Sequence, residues 1–273
     1  MFKTAPKTAY TLTVITLVLA IVAAAGGLFI ENLYRDNSFV TAVWQGNDLV
    51  TLVVAVPLLI VGFVLSRRGS VRGHFIWLGM LWYMVYNYAY ILFGAAFNPF
   101  FLLYVALFTV PLYALIFAVP KIDVEHAGER FRASTPVKWI AGYMVFVAVG
   151  LTVVYLMQIG NYLTTGEIPS IVNLTEHPTN IVFALDLSLL VPPLLLSAIW
   201  LWQRRAWGYI LATILNIKGM VYTLVLAMAS VSAVRAGFSE SMAEIPLWIT
   251  LTVGGLLSSF FLLRNLQPKG RIS

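Results

Sequence analysis

Eight long apolar runs, at about 9–30, 48–66, 73–94, 99–119, 138–159, 180–202, 207–231 and 246–264, dominate the 273-residue sequence. A bilayer's hydrocarbon core is about 30 Å thick, and a helix rising about 1.5 Å per residue needs about 20 apolar residues to cross it. Each run meets that length. Backbone amides inside hydrocarbon find no water, so every crossing has to close its hydrogen bonds within a helix. The predicted fold class is therefore all-α, a polytopic integral membrane bundle of eight transmembrane helices forming a single transmembrane domain over residues 1–273. Composition agrees, with 60% hydrophobic and 10% charged residues and a mean hydropathy of +0.89; soluble domains carry about 25% charged residues. The first run follows Lys3 and Lys7 as a signal peptide would. It exceeds the roughly 7–15 residues of a signal-peptide core and is read as a retained first span.

Basic residues set the orientation. With the N-terminus inside, Lys3, Lys7, Arg67, Arg68, Arg72, Lys121, Arg130, Arg132, Lys138, Arg204, Arg205, Arg264, Lys269 and Arg271 fall on the cytoplasmic side. Only Arg35 and Arg235 fall outside, and Lys218 lies within the membrane. Fourteen against two is a strong positive-inside bias, which predicts cytoplasmic N- and C-termini in a bacterial inner membrane. The basic balance follows from topology and contact with membrane lipid, and no nucleic-acid partner is expected. The longest outer loops are 31–47 and 160–179, and the inner loop 120–137, "KIDVEHAGERFRASTPV", reads as a solvated connector.

Several chemistries are excluded. Zero cysteines rule out disulfides, thiolate metal sites and thiol catalysis. His74, His126 and His177 are far apart and sit at or beyond span ends, which argues against a bis-histidine haem in the bilayer. No phosphate-binding loop, dinucleotide fingerprint, zinc-protease motif or nucleophile elbow is present. No metal is expected, and the sequence names no cofactor. A lysine in mid-membrane suggests a retinal Schiff base, but microbial retinal proteins carry it on the last of seven helices with carboxylates on the third. Here it is on the seventh of eight, and the third run has no carboxylate.

Two segments read alike. "GNDLVTLVVAVPLLIVGFVLSRRG" and "PTNIVFALDLSLLVPPLLLSAIWLWQRRAWG" each have an asparagine at the outer start of the run (followed by Asp48 in the first), carry proline near mid-helix and have an arginine pair at the inner end. In both cases an aromatic-rich run with a tyrosine in its outer half follows, Tyr86 in one and Tyr222 in the other. Four runs lie in each half, so a repeat would be a 4+4 pseudo-repeat of parallel topology, its axis along the membrane normal.

Ionisable groups inside a bilayer cost at least about 2.5–3.5 kcal/mol each and mark functional sites by default. Asp186 lies about 9 Å into the sixth run at about 1.5 Å per residue. Lys218 is near mid-depth in the seventh, and Asp48 is at the outer start of the second. The sixth and seventh runs are antiparallel neighbours. Side chains lean toward the N-terminus of their own helix, so Asp186 and Lys218 would lean apart unless a tyrosine, an amide or water bridges them. Tyr222, one turn from Lys218, and Asn216 are the nearest groups in sequence. In the third run Gly79, Tyr83, Tyr86, Asn87, Tyr90 and Gly94 share one helical face, a wall of phenols suited to a cation, a quinone or another flat ligand. Asp48, Thr51, Ala55 and Gly62 form a small, polar face on the second run that could pack against it.

The expected ligand-binding residues are therefore Asp186, Lys218, Tyr83, Tyr86, Asn87, Tyr90, Tyr222, Asn216 and Asp48, in a cavity open to the outside. The leading expectation is binding and translocation of a small solute or ion. The alternative is an intramembrane enzyme or redox-partner subunit acting on a lipid or quinone, or a non-catalytic subunit of a membrane complex.

Overall fold

A computed structural model describes residues 1–267. Lys269 and Arg271, counted above among the cytoplasmic charges, lie outside the described residues. Eight helices are long and apolar enough to cross a membrane. They are, in order, Lys7–Phe29, Ser38–Arg67, Val71–Gly94, Phe101–Ala118, Val137–Thr165, Ile181–Trp202, Ala206–Arg235 and Ile245–Arg264. Among the described residues there is no strand beyond two isolated bridges.

The second span differs most from expectation. It begins at Ser38, ten residues before the predicted start. Asn37 caps it by accepting the Val40 amide at 2.9 Å, which satisfies one of the donors that a helix start leaves open. The segment around Trp44, Gln45 and Asn47 reads as polar loop because its hydrophobic residues are interrupted. It folds as helix because Phe39, Val40, Trp44, Asn47 and Asp48 all turn into the bundle and are buried. Asp48 is consequently well inside the helix rather than at its start.

The third and seventh spans are the central helices: 78% and 67% of their apolar windows are buried, against 28–44% for the other six. That follows from composition, since these two carry the small and polar residues while the outer helices present aliphatic side chains to lipid. The seventh span packs against the second, third, sixth and eighth. Gly46 permits the close approach of the second span, for a Cβ there would stand 2.8 Å from Ala229 Cα. Within the first four spans, the first packs along the fourth and the second along the third. The fifth packs along the sixth, but the fifth and eighth scarcely touch.

Two spans leave α geometry. Thr51–Ala55 and Asp186–Leu190 are π-helical turns, each followed at once by an α-helix with proline in its first turn. Proline cannot donate to the helix and its ring crowds a carbonyl one turn back, and a wider turn accommodates both effects. The correspondence runs on at one constant offset. Arg67 and Trp202 end the helices, Gly69 and Arg204 have positive φ, and Val71 and Ala206 start the next helices. A Cβ on Gly73 would strike Leu65 and Ser66, and one on Gly208 would strike Trp200 and Leu201.

The basic ends of the helices meet a structured cap. The segment 119–136 holds a short helix, Val124–Gly128, and bridges at Phe2↔Ile122 and Phe131↔Leu266 that tie both terminal segments to it. Phe131 stacks on Tyr209 at 4.6 Å, and Arg72 donates to the Leu263 carbonyl at 2.9 Å. The solvated connector expected here is an organised cap, because its polar residues are interleaved with Ile122, Ala127 and Phe131, which are buried.

Candidate functional site

Asp186 opens the π-helical turn of the sixth span and is 3% exposed. Its Oδ1 accepts the Tyr86 hydroxyl from the third span, and its Oδ2 accepts the Tyr155 hydroxyl from the fifth at 2.6 Å. Tyr155 is held by stacking on Phe183 at 4.1 Å. Both carboxylate oxygens are thus engaged by phenol donors, which partly replaces the hydration lost on burial.

Lys218 is 1% exposed. Its Nζ stands 3.4 Å from the centroid of the Tyr86 ring and 4.3 Å from that of Tyr222. Those two rings meet edge to face, 4.8 Å apart at 78°, so the ammonium occupies a corner between two π-faces. Desolvated cation–π contacts of this kind contribute about 2 kcal/mol each. No hydrogen bond reaches Nζ from any described residue, and Lys218 and Asp186 form no ion pair. The lean of the two side chains along antiparallel helices keeps them apart, and Tyr86 joins them: its hydroxyl serves Asp186 and its ring serves Lys218. Tyr222, the tyrosine nearest Lys218 in sequence, contributes a ring, while its hydroxyl is buried with no partner. Asn216 donates to the Ala212 carbonyl of its own helix at 2.8 Å.

A cavity of about 470 Å³ lies against this cluster, touching Tyr90, Tyr155, Asp186, Asn216, Lys218 and Tyr222. It is enclosed mainly by the fifth to eighth spans, with the short helix Ser170–Thr175 and the start of the second span above it. Toward the basic end it stops at Tyr143, Leu194, Leu215 and Gly255. There the fifth and eighth spans do meet: the Tyr143 hydroxyl donates to the Leu251 carbonyl at 2.6 Å, and its ring fills the space over Gly254. Beyond that contact the two helices diverge, and the cavity runs along the gap.

The remaining expected residues fall elsewhere. Asp48 accepts the Tyr34 hydroxyl at 2.5 Å, and the bare face of Gly27 leaves room for its carboxylate. Asn47 donates to Asn87 at 2.7 Å and accepts from Thr51 at 3.1 Å. Thr51 shares a 2.7 Å hydrogen bond with Tyr83. With the Thr51 proton already given to Asn47, Tyr83 is the donor, and the four side chains form one buried chain. Tyr83 and Asn87 therefore belong to the packing between the second and third spans and Asp48 to that between the first and second, and none of the three lines the cavity. Tyr90 packs its ring on Trp44 at 4.7 Å.

Sequence reasoning passed over Tyr155, Tyr34 and Asn47. Tyr155 left a signal: with Gln158 it is a polar break in an otherwise aliphatic stretch of the fifth span. Tyr34 and Asn47 were hidden by the misplaced start of the second span. No family model matches the chain, and no curated protein or solved structure is detectably similar to it.

Proposed function

We propose that this protein binds a small solute or ion beside Asp186 and Lys218 and carries it across the membrane, with the basic end of the bundle cytoplasmic. The observation that carries this reading is Lys218, an ammonium 1% exposed and without a hydrogen-bond acceptor, at the closed end of a cavity of about 470 Å³. Pockets for small molecules run about 300–1,000 Å³, mostly apolar with a few convergent polar groups. An intramembrane lysine persists only where a partner, a cavity or a ligand offsets its insertion cost.

The constant offset between the two halves supports transport by a 4+4 parallel repeat. Thr51 and Asp186 open the two π-helical turns, and Tyr83 and Lys218 occupy matching positions on the next spans. In the first half the equivalent polar pair is sealed, and the first and fourth spans close over it. In the second half the fifth and eighth spans stand apart. The first half is then the scaffold and the second the moving part, hinged at the π-turn and Pro192–Pro193.

Single-cysteine variants in sealed vesicles test this, and the native chain supplies no competing thiol. Glu31→Cys and Glu167→Cys should react with an impermeant reagent from outside, Arg68→Cys and Glu129→Cys only from inside. Leu151→Cys lines the cavity and should react from outside, whereas Ser197→Cys, on the basic side of its floor, should react slowly from inside. A Ser197 thiol that never reacts from inside rejects alternating access. It would favour a fixed site, in which Asp186 exchanges protons between Tyr86 and Tyr155 as the acid/base of an enzyme or redox partner acting on a lipid or quinone.

A further inference from the structure

We infer that the ligand of this cleft is an amphiphile whose acidic oxygen head docks on Lys218 and Tyr222 while its hydrocarbon tail lies between the fifth and eighth spans. The inference rests on the reading that the cleft is a binding site, and adds the chemical class of what it binds.

Three observations lead to it. First, the charged group without a hydrogen-bond partner at the closed end is a donor, the Lys218 ammonium, and the Tyr222 hydroxyl beside it is also unpartnered, on residues 1% and 4% exposed; the Asn216 Oδ1 is a neutral acceptor there. The carboxylate of Asp186 already holds two hydroxyl protons. A cationic head would be repelled by the ammonium, whereas a carboxylate or phosphate oxygen would accept from it in a charge-assisted hydrogen bond. Second, the walls leading away from that end are hydrocarbon: Val147, Leu151 and Val154 on the fifth span and Leu247 and Leu251 on the eighth. A small hydrophilic anion would gain nothing from such walls, while an alkyl tail is stabilised along their whole length. Third, the cleft opens sideways. Val154 and Leu247 both line it, yet they are 50% and 49% exposed on the outer surface of the bundle. Residues that belong at once to a cavity wall and to the lipid-facing surface mark the mouth. Trp248, also on the wall, donates to the exposed Glu244 at 3.3 Å and sets the polar edge above it.

The test uses the full chain in lipid nanodiscs and a sixteen-carbon fatty acid bearing a diazirine in mid-chain. Photolabelling should be saturable and should map to the fifth and eighth spans around Val154 and Leu247. The same diazirine chain with a trimethylammonium head should label there at least about tenfold less, the effect of losing one charge-assisted hydrogen bond. Lys218→Met should lower labelling by the acid probe to the level of the ammonium probe. Because that change also removes a core contact, Leu247→Trp provides an independent check: it closes the mouth from the lipid side and leaves Lys218 in place, and labelling should fall equally. Equal labelling by both head groups, or labelling untouched by either variant, overturns the inference. Displacement of the acid probe by an equal concentration of butyrate would also overturn it, showing that the tail is not recognised; the binding reading of the cleft would survive. Absence of labelling together with an unreactive Leu151→Cys thiol would remove both.

Discussion

Replacing Asp186 should damage this protein far more than replacing Lys218, although the two charges share one cluster. Asp186→Leu removes the acceptor of two buried hydroxyls, Tyr86 and Tyr155. Each unsatisfied group costs about 1–3 kcal/mol. It also removes the carboxylate whose charge favours the Lys218 ammonium, and stranding a buried charge in this way typically costs about 3–5 kcal/mol in all. Lys218→Met leaves Asp186 with both hydroxyl donors and loses two contacts with π-faces, while lifting the cost of burying an ammonium. A net loss of about 1–2 kcal/mol is expected. The double variant should recover the penalty of the stranded ammonium but not that of the two hydroxyls, and should stay at least about 2 kcal/mol below the parent. Asp186→Asn, which still accepts from one tyrosine, should fall between. Reversible denaturant unfolding in mixed micelles gives all four values, and stabilities of about 5–15 kcal/mol leave room to measure them. Equal losses for the two single variants would refute the reasoning, and so would a double variant as stable as the parent. Either would mean that the charges pair directly and that the tyrosines are bystanders.

Three further outcomes are expected. Tyr83→Phe and Thr51→Val each break the chain Tyr83–Thr51–Asn47–Asn87, and should lower unfolding free energy by about 1–3 kcal/mol while leaving labelling of the cleft unchanged; a loss of labelling with intact stability would move the site into the first half. Gly208→Ala, whose new Cβ would lie 2.3 Å from Leu201 N, should destabilise by about 1–3 kcal/mol, whereas Gly150→Ala, with nothing within 4 Å, should be neutral or stabilise by up to about 1 kcal/mol; thermal melts of the two variants decide. Burial pulls the pKa of His177 below the ordinary 6.5, against the opposing pull of Asp36. The unfolded chain therefore takes the proton first, so the contribution is intact above 6.5 and is lost as pH falls through the folded value. Protection against hydrogen exchange over 166–180, corrected for the intrinsic amide rate, should fall between about pH 7.5 and 5.5 in the parent and not in His177→Gln, and identical responses would dismiss the histidine.

The eight helices were legible because hydrocarbon leaves the chain no other way to satisfy its backbone, and a run of about 20 apolar residues says so by length alone. Legibility failed where polar residues sit inside a span. Gln45, Asn47 and Asp48 read as the edge of a loop, yet two of them are buried among neighbours that only the fold supplies. The third-run tyrosines read as one wall, and periodicity did place them on one face. The structure then divides them: Tyr83 is bonded to Thr51, Tyr86 to Asp186, and only Tyr90 lines the cavity.

The sequence by itself determined that the chain is helical, that eight segments can cross a bilayer, and that Asp186 and Lys218 require compensation in its interior. These follow from length, hydropathy and the cost of burying charge, which are properties of segments. Which groups provide the compensation was decided by tertiary structure alone. Tyr86 and Tyr155 come from two other helices, and no spacing within one helix encodes which face of a neighbour it will meet. The cleft is likewise a tertiary fact. It exists because Tyr143 closes one end of the gap between the fifth and eighth spans and the two helices scarcely meet beyond it, and sparse packing leaves no mark in either sequence segment.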